Sequence, residues 1–153
     1  DFSSGALKIA HRRSWQEGVS LNLVLCDVCR LPFRNDVFDA IFSEEVLEHV
    51  SRVEVLCTEV KRVLKIGELF IISVPNGISP FYVSWRKLLT YKGQWIYGHE
   101  HAYAPWEVAR LLRRHNFARV SVFYFEMPWL LRFLDFYKNP LCVRIGMVGI
   151  RKG

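Results

Sequence analysis

Residues 35–50, NDVFDAIFSEEVLEHV, restrict the possible folds more than any other stretch of the chain. Residues 38–42 are a short run of mostly apolar side chains, too short for a helix and set off by the polar pair Asn35-Asp36. That is the pattern of a strand buried in a parallel sheet. Ser43 ends the run, and Glu44, Glu45, Glu48 and His49 follow within about one and a half helical turns. Open α/β sheets place their ligands beyond the carboxyl ends of the strands, so acid and imidazole gather where chemistry is expected.

Around this stretch the chain alternates between helix and strand. Residues 4–15 have helical spacing, and residues 21–26 are a Leu- and Val-rich run that reads as a strand. Pro32 makes the Arg30-Leu31-Pro32-Phe33 segment a loop. Ser51 and Glu54 have capping-box spacing ahead of a helix whose Val53, Cys57, Val60 and Leu64 share a face, with Gly67 as a left-handed stop. Residues 69–74 are the next buried strand, closed by Pro75-Asn76-Gly77, and strand, helix and strand make a βαβ unit.

Residues 77–103 form a long, irregular and aromatic connection, with Trp85, Tyr91, Trp95 and Tyr97 among Arg86, Lys87 and Lys92. Such a segment reads as a lid or binding surface, closing a pocket rather than stacking nucleobases. Pro105 opens a helix through Val108, Leu111 and Leu112 that stops at Asn116. Residues 118–125 read as a strand, 128–137 as a short amphipathic helix and 142–151 as a last strand. No repeat, low-complexity tract or interdomain linker interrupts them.

A chain of 153 residues with 51% hydrophobic composition is a single packed domain, not a disordered segment. Arg132 and Asp135 break the greasiest run, so no stretch approaches the ~20 apolar residues of a membrane span, and no signal peptide is visible. The net charge of +6 favours anionic partners without choosing among them. Four cysteines without a regular framework suggest reduced thiols and a cytoplasmic setting, or one peripheral to a membrane. Cys26-x-x-Cys29 has the spacing of half a zinc site or a redox pair, but no second pair accompanies it. The chain opens on Asp1 without an initiator Met, already close to a helix, so it is expected to be part of a longer protein.

Five motifs now fall in register. Asp1-Phe2-Ser3 with residues 6–10, Cys26-Asp27-Val28 with Leu31-Pro32-Phe33, FDAIFSEEVLEHV, KRVLKIGELFIISVPN and GHEHAYAPWEVARLLRRHNF together resemble class I S-adenosylmethionine-dependent methyltransferases over nearly the whole chain. The small-molecule branch that includes the ubiquinone-biosynthesis O-methyltransferases is the most similar. The resemblance implies an α/β, Rossmann-like, mostly parallel sheet with helices on both faces. It also implies that the family's first strand and glycine-rich loop would lie upstream of Asp1, making residues 1–153 a partial domain and a poor cofactor binder alone. Lys65-Ile66-Gly67-Glu68 departs from the family's Lys-Pro-Gly-Gly turn.

Carried over by position, the resemblance gives Asp1 to the ribose hydroxyls, Phe2 to adenine, Asp27 to the adenine amino group, the Val28 N–H to the ring nitrogen and Ser43 to the methionine portion. A carboxylate accepting from a diol or an amino group is sound hydrogen-bond chemistry. The plainer alternatives are a charged terminus for Asp1 and a turn former for Asp27. The implied activity is methyl transfer, at oxygen, to a small or amphipathic, lipid-like molecule, with His49 and Glu45 at the reacting centre. If residues 44–49 are helical, Glu45, Glu48 and His49 share a face and are candidate ligands for a divalent metal ion, completed by His99 or His101. The alternative is a metal-free His49 lining the pocket or acting as general base. Two rival classes stay open, a non-catalytic interaction fragment and a nucleotide-dependent oxidoreductase.

Overall fold

The computed structural model describes residues 2–98, 100–125 and 141–153. Helix α1 (Ser4–Gln16) starts where the Ser3 hydroxyl accepts from the Ala6 N–H at 3.2 Å. Strand β1 (Phe38–Glu44) leads through a 3-10 turn (Leu47–His49) into α2 (Val53–Val63) and β2 (Leu64–Pro75). Then come α3 (Pro80–Tyr91), α4 (Pro105–Arg114), β3 (Phe117–Phe125) and β4 (Arg144–Arg151). The four strands form one sheet in the order β1-β2-β4-β3. Pairing is parallel between β1 and β2 and antiparallel across β2-β4 and β4-β3. This is a mixed α/β sheet of Rossmann-like type with helices packed on it.

Strand β2 is central because both its edges are paired and its side chains are apolar. Phe70, Ile72 and Val74, with Ile145 and Met147 of β4, are nearly or fully buried against Leu56 and Val60 of α2 and Val108 and Leu112 of α4. His115, at the end of α4, pairs with Glu54 of α2, so the two helices are also tied at the surface. Glu59 and Arg62 of α2 hold the loop ahead of β1. The Arg62 guanidinium donates to the Phe33 carbonyl at 2.7 Å and to the Leu31 carbonyl at 2.9 Å, and Glu59 accepts from the Leu31 N–H at 2.9 Å. The hydrogen bond from Arg62 is also what holds the Glu59 carboxyl below its usual range.

Several expectations are corrected. Residues 21–26 form no strand, because no described strand lies beside them to complete a ladder, and Leu21 and Leu25 stay exposed. Strand β1 runs two residues past residue 42, through Ser43, and it is not buried: Phe42 is exposed on its open side. The N-cap of α2 is Arg52 without a side-chain cap, so the Ser51 capping box does not form. Helix α2 ends as Leu64 turns extended, and Gly67 (φ 86°) sits inside β2. There the register jumps from Phe38↔Leu64 to Ala40↔Leu69, so Lys65-Ile66-Gly67-Glu68 is a bulge rather than a helix-ending turn. Residues 80–91 are a helix within the supposedly irregular connection: Ser79 caps it, accepting from the Tyr82 N–H at 3.4 Å, and Pro80 occupies its first turn. Residues 128–137, read as a helix, lie outside the described residues.

One side chain pins the junction after β2. Asn76 is fully buried; its amide nitrogen donates to the Cys142 carbonyl at 2.9 Å and its amide oxygen accepts from the Ile78 N–H at 3.2 Å. Replacing it with alanine removes both of these hydrogen bonds and opens a void, and each buried hydrogen bond lost costs about 1–3 kcal/mol. Asn76→Ala is therefore expected to lower the urea midpoint at unchanged m-value, and an unaltered midpoint would remove this anchor.

Candidate active site

The site is built where β1 ends. Glu45 takes a left-handed conformation (φ 50°), and its N–H donates to the Ser73 carbonyl of β2 at 3.2 Å. This turns the chain sharply, so residues 47–49 form a 3-10 turn pinned by the fully buried Leu47. The one-face helical arrangement of Glu45, Glu48 and His49 therefore does not form. Tertiary pairing with β2 overrides the local helical pattern, leaving Glu45 outside the turn that carries the other two.

The three residues nevertheless converge on one cavity of about 320 Å³. Its acidic and basic lining is Glu45, Glu48, His49, Glu100 and Arg144, and its aromatic lining is Tyr82, Trp85, Trp95 and Tyr97. The segment carrying Glu100 is held in place by backbone contacts. The His101 N–H donates to the Glu48 carbonyl at 2.9 Å, and the Gly77 N–H donates to the Tyr103 carbonyl at 2.9 Å. A Cβ at Gly77 would lie 2.8 Å from the Ala102 backbone, which explains why this position carries no side chain.

Glu100 is a polar hub. One of its carboxyl oxygens accepts from the Tyr82 hydroxyl at 2.9 Å, the other lies 3.6 Å from His49 Nε2, and its carbonyl accepts from Arg86 at 2.8 Å. Burial, reinforced by the Glu100 bond, raises the Tyr82 hydroxyl above the usual tyrosine range. Glu45 faces Arg144 at 3.6 Å, and Arg144 also reaches Glu44 at 3.3 Å. Glu48 is 3% exposed, and neither of its carboxyl oxygens has a hydrogen-bond partner among the described residues. Burial pushes its pKa up to about 8, with the nearby Glu45 and Glu100 carboxylates raising it further.

The metal expectation gains no support from this geometry. Among the described residues no three His, Cys, Asp or Glu side chains are grouped to hold an ion. The His101 ring packs edge-on to Tyr103 at 4.4 Å. His99 lies outside the described residues.

Of the expected cofactor residues, Asp1 lies outside the described residues and Phe2 is 84% exposed. Ser43 stands near the carboxyl end of β1, two residues before Glu45, paired with Ile72. Asp27 closes a tight turn, one oxygen accepting from the Cys29 N–H at 2.8 Å and the other from Arg52 at 3.0 Å. The turn-former alternative is thus real, yet the Asp27 side chain stays about half exposed and the adjacent Val28 N–H has no acceptor among the described residues. An exposed carboxylate beside a spare N–H suits the donor and acceptor edge of adenine. Cys26 and Cys29 are free thiols, and burial, then Asp27, raises that of Cys29.

Tyr82, Glu100 and Arg144 were not anticipated from the sequence. Glu100 had one usable signal, a lone acid between two histidines in an aromatic segment; Tyr82 and Arg144 had none.

Mixed sheet, helix packing and an acid-lined cavity at a strand's carboxyl end are the features of a Rossmann-like α/β domain. Residues 1–72 match the methyltransferase domain family. The ubiquinone/menaquinone biosynthesis C-methyltransferase of Chromobacterium violaceum is 35% identical over 86 residues, 54% of this chain and 35% of the relative. The chain thus matches about a third of the length of that curated relative. A solved methyltransferase of Thermotoga maritima, described as a possible histamine N-methyltransferase, superposes with TM-score 0.80 at 20% identity over 99% of this chain and 72% of that one. The phosphoethanolamine N-methyltransferase 2 of Haemonchus contortus, solved with phosphomonomethylethanolamine and S-adenosylhomocysteine, gives TM-score 0.66 at 15% identity over 100% of this chain and 42% of that one. The chain has the fold of these methyltransferases.

Proposed function

We propose that the protein transfers a methyl group from S-adenosylmethionine to a small or amphipathic molecule held in the cavity beside the end of β1. The observation that carries this is the convergence of acid, imidazole and aromatic side chains at the carboxyl end of β1, two residues beyond Ser43. Asp27, the Val28 N–H and Ser43, with Asp1 and Phe2, hold the cofactor, while His49 and Glu45 face the acceptor. The bound cofactor supplies an already reactive methyl group, so the chain's part is to orient the acceptor, exclude water and take up its proton. The oxygen acceptor expected from the sequence gains no support from the curated relative, which is a C-methyltransferase.

Among the described residues no helix is long and apolar enough to cross a membrane. A cytoplasmic enzyme, free or peripheral to a membrane, is part of the same proposal.

Calorimetric titration of the full-length protein with S-adenosylmethionine, beside NAD, tests the reading. Binding of S-adenosylmethionine alone is expected; binding of NAD would favour an oxidoreductase, and binding of neither an interaction role. Asp27→Ala in the full-length protein is expected to weaken cofactor binding by about 1–3 kcal/mol without unfolding it. Unchanged affinity would leave Asp27 with its turn alone.

A further inference from the structure

The cavity's charge runs against that of the chain. A protein with net charge +6 places Glu45, Glu48 and Glu100 around one small space, opposed by Arg144 and the half-exposed His49. Arg144 is already shared between Glu44 and Glu45. The opposite wall is aromatic: the Trp85 and Trp95 rings lie 5.6 Å apart and those of Trp95 and Tyr97 5.1 Å apart, steeply inclined to one another. Inclined rings present faces in several directions, the arrangement that surrounds a cation, and Trp95 already carries the Arg86 guanidinium 5.5 Å from its centroid. Glu48, almost fully buried in the cavity wall with both oxygens unpartnered, is the second mark of a missing partner.

We propose that this cavity recognises a small cationic amine and that the methyl acceptor is its nitrogen. This rests on the methyltransferase reading above and names its substrate class. A phenol or enol would have to develop negative charge beside these carboxylates, whereas an ammonium is attracted by both walls. A volume of about 320 Å³ admits a small amine rather than a long lipid tail.

The transfer balances without a further reactant. The bound ammonium first gives a proton to a cavity carboxylate, freeing the nitrogen lone pair. That pair forms the N–C bond as the C–S bond breaks, its electrons stay on sulfur, and the cofactor leaves as an uncharged thioether. Glu48 is placed for the proton step, being buried in the cavity wall with both carboxyl oxygens open to accept. In the empty cavity Glu48 is mostly neutral at pH 7; an ammonium beside it supplies the absent partner and drives its proton off.

The test uses full-length protein and two probes, choline and its uncharged carbon isostere 3,3-dimethylbutan-1-ol, followed by fluorescence of Trp85 and Trp95 and by calorimetry in buffers of different ionisation enthalpy. Choline is expected to bind at least about tenfold tighter than the isostere, with net proton release near pH 7. Glu48→Gln is expected to abolish that release and Trp95→Leu to weaken choline binding about tenfold, both keeping native circular dichroism. Equal binding of the two probes, or tighter binding of the alcohol, overturns the proposal. So does a Glu48→Gln loss confined to S-adenosylmethionine with choline unaffected, which would give the acids to the cofactor's sulfonium. Choline binding with no methyl transfer to any amine would keep the cation site and sink the methyltransferase reading instead.

Discussion

His49→Ala is expected to lower kcat by about 10²- to 10⁴-fold, the range lost with a general acid or base, while S-adenosylmethionine affinity stays near that of the parent. The ring can be removed without disturbing its support. The 3-10 turn is fixed by the buried Leu47, by the Val50 N–H donating to the Leu47 carbonyl and by the His101 N–H on the Glu48 carbonyl, none of which uses the imidazole. Its Nε2 stands 3.6 Å from a Glu100 carboxyl oxygen, a separation that a bound acceptor can close. Glu100 in turn is oriented by the Tyr82 hydroxyl, so imidazole, carboxylate and phenol form a chain along which a proton can be held. A fall in kcat with KM and S-adenosylmethionine affinity near those of the parent supports the base role. Activity that survives the substitution would remove His49 from the reacting centre.

The parts of this chain that were legible are those whose local pattern and tertiary surroundings agree. The β2 run from Leu69 to Val74 is apolar and punctuated by Pro75-Asn76-Gly77, and it lies at the middle of the sheet. Helix α4 begins at Pro105 and is followed by Asn116 at φ 63°, the start and stop its sequence carries. The failures occur where a distant partner decides. Residues 44–49 have helical spacing, but the Glu45 N–H is claimed by Ser73, and that bond sets the left-handed turn. Residues 21–26 have strand composition, and a strand needs a neighbour. Helix α3 buries Tyr82 alone among its residues, so it shows no apolar stripe; its Ser79-Pro80 start was the readable signal.

The candidate site divides the same way. His49, Glu45 and Glu48 were readable because they come just after the end of a strand in a fold whose ligands bind there. Glu100 is brought to His49 by the return of the chain after α3, and Arg144 reaches Glu44 across a separation of 100 residues. Neither approach leaves a local trace in the sequence. The expected one-face arrangement of Glu45, Glu48 and His49 illustrates the hazard of reasoning from spacing alone, because i, i+3, i+4 spacing aligns side chains on one face only if the segment is an α-helix.

Glu48→Gln is expected to stabilise the folded protein near neutral pH and to flatten its stability profile. The Glu48 carboxyl has a folded-state pKa of about 8 against the ordinary value of 4.5. Below 4.5 both states hold the proton and the group contributes no pH dependence. Between about 4.5 and 8 the unfolded chain has released the proton while the folded protein retains it, so stability falls as pH rises. The slope from one such group approaches about 1.4 kcal/mol per pH unit. Above 8 both states are ionised, and the penalty of a buried carboxylate without a hydrogen-bond partner is present in full. Glutamine has the same shape and cannot ionise, so the variant is expected to lose this slope and gain most at pH 8, where the parent is weakest. Urea melts of both proteins at pH 5, 6, 7 and 8 read the difference directly. Parallel profiles across that range would mean that the Glu48 carboxyl finds a partner in solution, and the amine cavity would lose its unpaired acid.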